Sequence, residues 1–297
     1  MKLNRFSTII TALSVATISA LLSNAKPAAA FGLVGLTDNN TLVLFDSNSP
    51  TTTSNVQVTG VDGRLLGIDR RPANNLIYGL TNTNNIYTID PSNGTTSLVS
   101  KLSTSFNGGF VSGVDFNPAV DRLRVVGGNN KNFRINVDTG AVLEDGELNP
   151  GDPNITAVAY TNNVAGTTTT TLYDIDYISD QLLIQIPPNN GTLASVGSLG
   201  IDIDSRGGFD ILTQNGMNIA FAALTPTDAS GSTLYTINLG TGAATAVGSI
   251  GNGNTRLSGL TANSEPVPEP SFALGSLLGG GVFALLRHYH RRLKSVS

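Results

Sequence analysis

The sequence predicts an all-β fold, a β-propeller of five four-stranded blades closed by strands from both ends of the chain. Three observations predict it. Residues 31–265 are rich in Gly, Asn and Thr and poor in Lys, Glu and Met, a composition that favours turns and strands over helix. A turn-and-strand segment recurs along that stretch with a nearly constant period. Unpaired strand-like segments stand at its two ends and complete one another.

The turn is the clearest element of the repeat. Asp90-Pro91-Ser92-Asn93-Gly94, Asp138-Thr139-Gly140, Pro188-Asn189-Asn190-Gly191 and Leu239-Gly240-Thr241-Gly242 each precede a short strand, and their last glycines are 46, 51 and 51 residues apart. Tight hairpins place a residue at positive φ, which glycine adopts without steric cost. Alternating strands such as Ile86-Tyr87-Thr88-Ile89 and Leu234-Tyr235-Thr236-Ile237 lead into the turns. A second mark lies earlier in each unit. Gly67-Ile68-Asp69 with Pro72-Ala73 matches Gly113-Val114-Asp115 with Pro118-Ala119, and looser echoes fall at Ala157-Val158-Ala159, Gly208-Phe209-Asp210 and Gly259-Leu260-Thr261.

Four units therefore begin near residues 65, 111, 155 and 207. The strands Leu33–Leu36, Thr41–Phe45 and Asn55–Val58, joined by Leu257–Thr261 from the other end, make the fifth blade and leave no open edge. A β-sandwich or an irregular β stack is the rival architecture, and an insertion at Thr167–Thr171 blurs the third and fourth units.

Both ends carry export signals. Lys2 and Arg5 precede an apolar run from Ile9 to Leu22, then Ala28-Ala29-Ala30. Charged, apolar and small-residue regions in that order define a signal peptide over residues 1–30, cut by signal peptidase after Ala30, with Ala28 and Ala30 in its shallow pockets. A linker over residues 263–270 ends in Val267-Pro268-Glu269-Pro270. An apolar, Gly-rich stretch from Phe272 to Leu286 follows, and Arg287, Arg291, Arg292 and Lys294 close the chain. Fifteen helical residues span about 22 Å, a short membrane crossing whose basic end belongs in the cytoplasm.

The segment Val267–Lys294 resembles the PEP-CTERM sorting signal of Gram-negative bacteria, with Pro268, Glu269 and Pro270 as the sorting motif and residues 271–297 as the transmembrane sorting helix and basic tail. That resemblance implies an exosortase as processing partner, transient anchoring in the inner membrane, and a cell-surface or extracellular destination beside exopolysaccharide. Residues 32–262 further resemble an uncharacterised family of secreted bacterial proteins with propeller-like repeats. It brings no established activity.

Composition narrows the chemistry. Residues 31–265 carry 17 Asp and 3 Glu against 8 Arg and 2 Lys, a net charge of −10. Scattered arginines on an acidic domain do not form the basic clusters that nucleic acid requires. The chain has no Cys and no Trp, and His288 and His290 lie in the tail. The exported domain thus lacks thiol nucleophiles, a Ser-His-Asp triad and the usual zinc or haem ligands.

What remains is carboxylate chemistry. Asp174 with Asp176, and Asp202 with Asp204, stand two apart, so on a strand each pair faces one side and is a candidate grip for a hard cation such as calcium. No other cofactor is implied. Paired acids also serve glycoside hydrolysis, but no residue is marked as catalytic. Asp69-Arg70-Arg71 and Asp121-Arg122-Leu123-Arg124 read as surface or inter-blade ion pairs. The expectation is a non-catalytic surface or matrix propeller that binds a glycan or a protein. A carboxylate-only glycoside hydrolase and a structural coat component are its alternatives.

Overall fold

The structure, a computed structural model, describes residues 30–266. The proposed signal peptide with Ala28, the Pro268–Pro270 motif and the basic tail lie outside the described residues. Among the described residues no helix is long and apolar enough to cross a membrane.

Twenty strands form five four-stranded antiparallel sheets. β1 (Phe31–Leu36), β2 (Thr41–Asp46) and β3 (Ser49–Gln57) belong to blade 1. Blade 2 holds β4 (Leu65–Arg70), β5 (Ile77–Thr81), β6 (Asn85–Ile89) and β7 (Thr96–Lys101). Blade 3 holds β8 (Ser112–Asn117), β9 (Arg122–Gly127), β10 (Asn132–Asn136) and β11 (Ala141–Glu144). Blade 4 holds β12 (Ile155–Tyr160), β13 (Leu172–Asp176), β14 (Gln181–Gln185) and β15 (Leu193–Ser198). Blade 5 holds β16 (Ile203–Gln214), β17 (Met217–Pro226), β18 (Thr233–Ile237) and β19 (Ala244–Ser249). β20 (Gly259–Pro266) then pairs with β1, matching Leu36 to Gly259, and becomes the inner strand of blade 1. The expected five blades and the closure by both chain ends are present. The sequence placed two boundaries too narrowly: β3 starts at Ser49 rather than Asn55, and the last strand runs on to Pro266. Thr167–Thr171 falls in the long β12–β13 connection.

The apolar core is divided among the junctions between blades. Five buried clusters occupy the five junctions, for example Tyr78 and Leu80 of blade 2 with Phe116 and Val125 of blade 3. The inner strands are buried almost throughout, whereas the outermost strands expose residues such as Leu98 and Leu143.

The Gly-apolar-Asp triplet explains how the inner strands meet. Its middle residue packs back on the preceding blade, at the spot where that blade has glycine. A Cβ on Gly67 would lie 2.5 Å from the Val114 side chain, and one on Gly113 2.8 Å from Val158. On Gly208 it would collide with the backbone of Gly259 and Leu260. Blade 4 has Ala157 instead, packed in the same cluster as Phe209 of blade 5.

A second set of contacts joins the blades at the rim, with at least one backbone hydrogen bond at every junction. Thr59 donates to the Gly94 carbonyl (2.9 Å), Ser103 to Gly140 (2.8 Å), Asn149 to Gly191 (2.8 Å), Ala244 to Leu199 (3.0 Å) and Gly251 to Pro50 (2.9 Å). Gly94, Gly140, Gly191 and Gly242 all have φ between 67° and 82°, as the repeated turn requires.

Two glycine substitutions separate these constraints. Gly151 has φ 76° with open space around its α-carbon, so Gly151→Ala is expected to cost about 1 kcal/mol through backbone conformation alone. Gly208→Ala meets the backbone of the next blade and is expected to cost about 3 kcal/mol or more. Urea unfolding of the two variants checks the order; equal costs would mean that the axial contact does not constrain the ring.

Candidate functional site

The third position of the triplet forms a ring of side chains on the propeller axis: Asp69, Asp115, Ala159, Asp210 and Thr261. Residues two apart on a strand share a face, so this side chain points, like the glycine before it, at the next blade. There it accepts a hydrogen bond from the backbone one residue past the equivalent position. Asp69 Oδ2 accepts from Phe116 N (2.8 Å) and Asp115 Oδ1 from Tyr160 N (2.9 Å). Asp210 Oδ2 accepts from Ala262 N (2.5 Å), and Thr261 Oγ1 from Arg70 N (3.1 Å). Ala159 cannot accept, so this latch is missing between blades 4 and 5. The Thr261 hydroxyl also donates to Asp69 Oδ1 (2.9 Å) and lies 3.3 Å from Asp210 Oδ2.

The latches gather three buried acids. One carboxylate oxygen from each of Asp69, Asp115 and Asp210 lies within 4.8 Å of the others, and no other group of three such ligands occurs among the described residues. Burial, and next the charge of Asp210, hold Asp69 well above the ordinary carboxylate range. Burial and the charges of Asp69 and Asp210 do the same to Asp115. Burial pushes Asp210 up to about 6, against the hydrogen bonds of Ala262 and Thr261. Asp210 Oδ1 is buried without a hydrogen-bond partner.

Next along the axis, at the trailing end of the inner strands, a cavity of about 320 Å³ opens between Arg70, Asn75, Asn163, Leu212, Thr213 and Ala262. Arg70 donates from Nη1 to the Asn75 carbonyl (2.8 Å), while its Nε is buried and unpartnered. Burial pulls the Arg70 guanidinium down, and Asp69 and Asp210 push it back up. Asn163 is fixed by its backbone N–H to Thr213 Oγ1 (2.8 Å), leaving its own Oδ1 buried and unpartnered. The cavity therefore presents one cation against an apolar wall, while the unpartnered Arg70 Nε and Asn163 Oδ1 are themselves buried. No carboxylate lines it. At the other end of the axis, Asp38 bridges Arg64 and Arg206 (2.9 Å to the latter), and Arg64 lies over the Phe110 ring.

The aspartates singled out in the sequence lie elsewhere. Asp174 faces Val158 and Leu183 across its sheet, at the apolar junction of blades 3 and 4, with 0% exposure and no partner for either oxygen. Asp176 caps a turn, accepting from Ile178 N (2.8 Å) and Ser179 N (3.2 Å). Asp202 is exposed, and Asp204 accepts from Arg206 N (2.7 Å) and pairs with Arg256. None of the four belongs to the axial group. Of the basic spots, Arg71 ties blade 2 to Asp121 (2.5 Å) and Asp138 (2.7 Å) of blade 3. Arg124, fully buried, joins Asp145 of its own blade (2.7 Å) to Tyr160 (3.1 Å) and Asn189 (2.9 Å) of blade 4. Arg70 and the acids at triplet position three were not recognised as a site. The signal was present in the repeat, which has Asp at one position in three of five units.

The family model for a domain of unknown function, DUF4394, matches residues 41–261. The chain belongs to this family. No curated protein matches it. Among solved structures it is similar to a structural-genomics protein of unknown function from Bacteroides thetaiotaomicron, at 15% identity and TM-score 0.48, covering 75% of this chain and 59% of that one. It is also similar to a catalytically inactive virginiamycin B lyase from Staphylococcus aureus with quinupristin, at 11% identity and TM-score 0.39, covering 74% of this chain and 71% of the lyase.

Asp174 supplies a test of the buried electrostatics. Burial raises its carboxyl from 3.8 to about 8, with Arg124 opposing. Between those values the folded chain holds a proton that the unfolded chain has released. Asp174 therefore lowers stability as pH rises from about 4 to 8, by at most about 1.4 kcal/mol per pH unit, and the loss levels off above 8. Asp174→Asn is expected to be more stable than the parent at pH 8 by over about 1 kcal/mol and equal to it near pH 4. A difference independent of pH in urea unfolding would mean that Asp174 is not buried as an acid.

Proposed function

We propose that this DUF4394 chain is an exported, non-catalytic binding propeller that takes an acidic glycan end in its axial cavity. The observation that carries this reading is Arg70, the one cation lining a cavity that no carboxylate lines. A guanidinium with free donors recognises a carboxylate by charge-assisted hydrogen bonds. The apolar wall suits the ring face of the same sugar.

Two observations favour binding over hydrolysis. Sugar hydrolysis on carboxylates needs two acids flanking the bond, and no carboxylate lines the cavity. The acids with raised proton affinity are buried: Asp69, Asp115 and Asp210 already hold the next blade, and Asp174 is sealed at a blade junction. Export rests on the signal-peptide pattern of residues 1–30 and the PEP-CTERM-like segment after Pro266. Signal peptidase and an exosortase are the processing partners of this reading, and the envelope surface or surrounding matrix is the destination.

The purified protein is expected to co-sediment with a uronate-containing exopolysaccharide and not with neutral dextran. Arg70→Gln should weaken retention about tenfold or more. Failure of the acidic polymer to retain the protein, or undiminished retention of Arg70→Gln, counts against the reading.

A further inference from the structure

We propose that Asp69, Asp115 and Asp210 hold one hard divalent cation on the propeller axis. Carboxylate oxygens bind calcium at about 2.4 Å, so two ligands on opposite sides of an ion stand about 4.8 Å apart, and the smaller magnesium draws them closer. The three axial oxygens lie within 4.8 Å of one another. Three different blades supply them, so the ion sits on the axis among their inner strands.

The hydrogen bonding points to an occupant independently of the clustering. Asp210 is 1% exposed, and its Oδ1 meets no donor. Asp69 and Asp115 are likewise 1% exposed, and ionised carboxylates carry no donor for one another, so three of them this close need protons or a cation among them. The Arg70 guanidinium is the positive charge acting on Asp69 and Asp210. Were all three ionised, they would outweigh the one guanidinium by two charges in a buried site, and a divalent cation balances that excess. The aspartates Asp176 and Asp204 lack this character, because turn N–H groups and Arg256 already satisfy them.

The cation would fasten blades 2, 3 and 5 together beside the Arg70 cavity, whatever ligand that cavity takes. Its test uses no glycan, so its failure and that of the proposed function are distinguishable. The full chain, purified without chelator or metal-affinity resin, is analysed for bound metal. It is then stripped with EDTA and melted with and without calcium, magnesium or manganese at about 1 mM, where a specific site stabilises by mass action. The expected result is one equivalent of ion per chain, retained or restored, and a melting temperature several degrees above that of the stripped protein. Asp210→Asn should lower metal affinity at least tenfold and abolish the shift, while Asp204→Asn keeps both.

If Asp210→Asn does not fold, Asp115→Asn replaces it, and the parent's metal content and melting shift are decisive alone. Substoichiometric metal with identical melting in metal and chelator overturns the proposal and leaves shared protons between the acids. Uptake of several ions that Asp210→Asn leaves unchanged also overturns it, because the binding would then belong to the acidic surface.

Discussion

The structure depends on the close approach of five inner strands around one axis. Four of the five strands present a hole to the next blade, a knob to the previous one and a polar group that fixes their register; blade 4 has alanine at the first and third places. Gly67, Ile68 and Asp69 do these three things in blade 2, and Gly113, Val114 and Asp115 repeat them in blade 3. The period of two in a strand makes the arrangement possible, since glycine and aspartate face one way and the apolar residue between them faces the other. Apolar burial is then completed junction by junction, in five clusters. No blade buries its own faces alone, so the ring gains its stability only on closing, through the pairing of β20 with β1.

The latch also sets the electrostatics of the axis. A serine or threonine at the third position serves as an acceptor, as Thr261 does. Aspartate serves too, but it brings a charge into a place without water. One such charge is tolerable when backbone N–H groups and a hydroxyl hydrogen-bond to it; three within a few ångströms are not, unless protons or positive charge come with them. Arg70 follows Asp69 directly in the chain and is the first positive charge to arrive. The same residue walls the axial cavity. The feature that closes the ring thereby also determines the chemistry offered to a ligand at its mouth.

The repeat was legible because it is local. The four turn glycines, the strands leading into them and the triplet could each be aligned along the chain, and blade number and closure follow from counting. The axial acids were visible in the same alignment but their meeting was not, because Asp69 and Asp210 are 141 residues apart and adjoin only after five blades have closed. Reading Asp174 and Asp176 as a pair applied strand periodicity correctly and still missed their surroundings. Asp176 ends its strand and caps a turn, whereas Asp174 is sealed at a junction built by blade 3. The cavity was equally hidden: Thr167–Thr171 looked like an insertion blurring the repeat, and nothing marked Asn163 and Val164, earlier in the same connection, as reaching the axis.

The position of the chain ends ties the proposed ligand site to the proposed route of export. β1 begins and β20 ends at one face, where Phe31 pairs with Pro266. Ala262, on the last strand, is part of the cavity wall. A tether continuing from Pro266 would therefore leave beside the cavity, on the face where Leu76, Val120, Val164 and Met217 are exposed. An extended polymer would have little freedom to approach that face while a membrane lay against it. On the proposed reading, cutting near Pro268–Pro270 then does more than release the protein. It would also free the proposed ligand-binding face, which a membrane lying against it would obstruct.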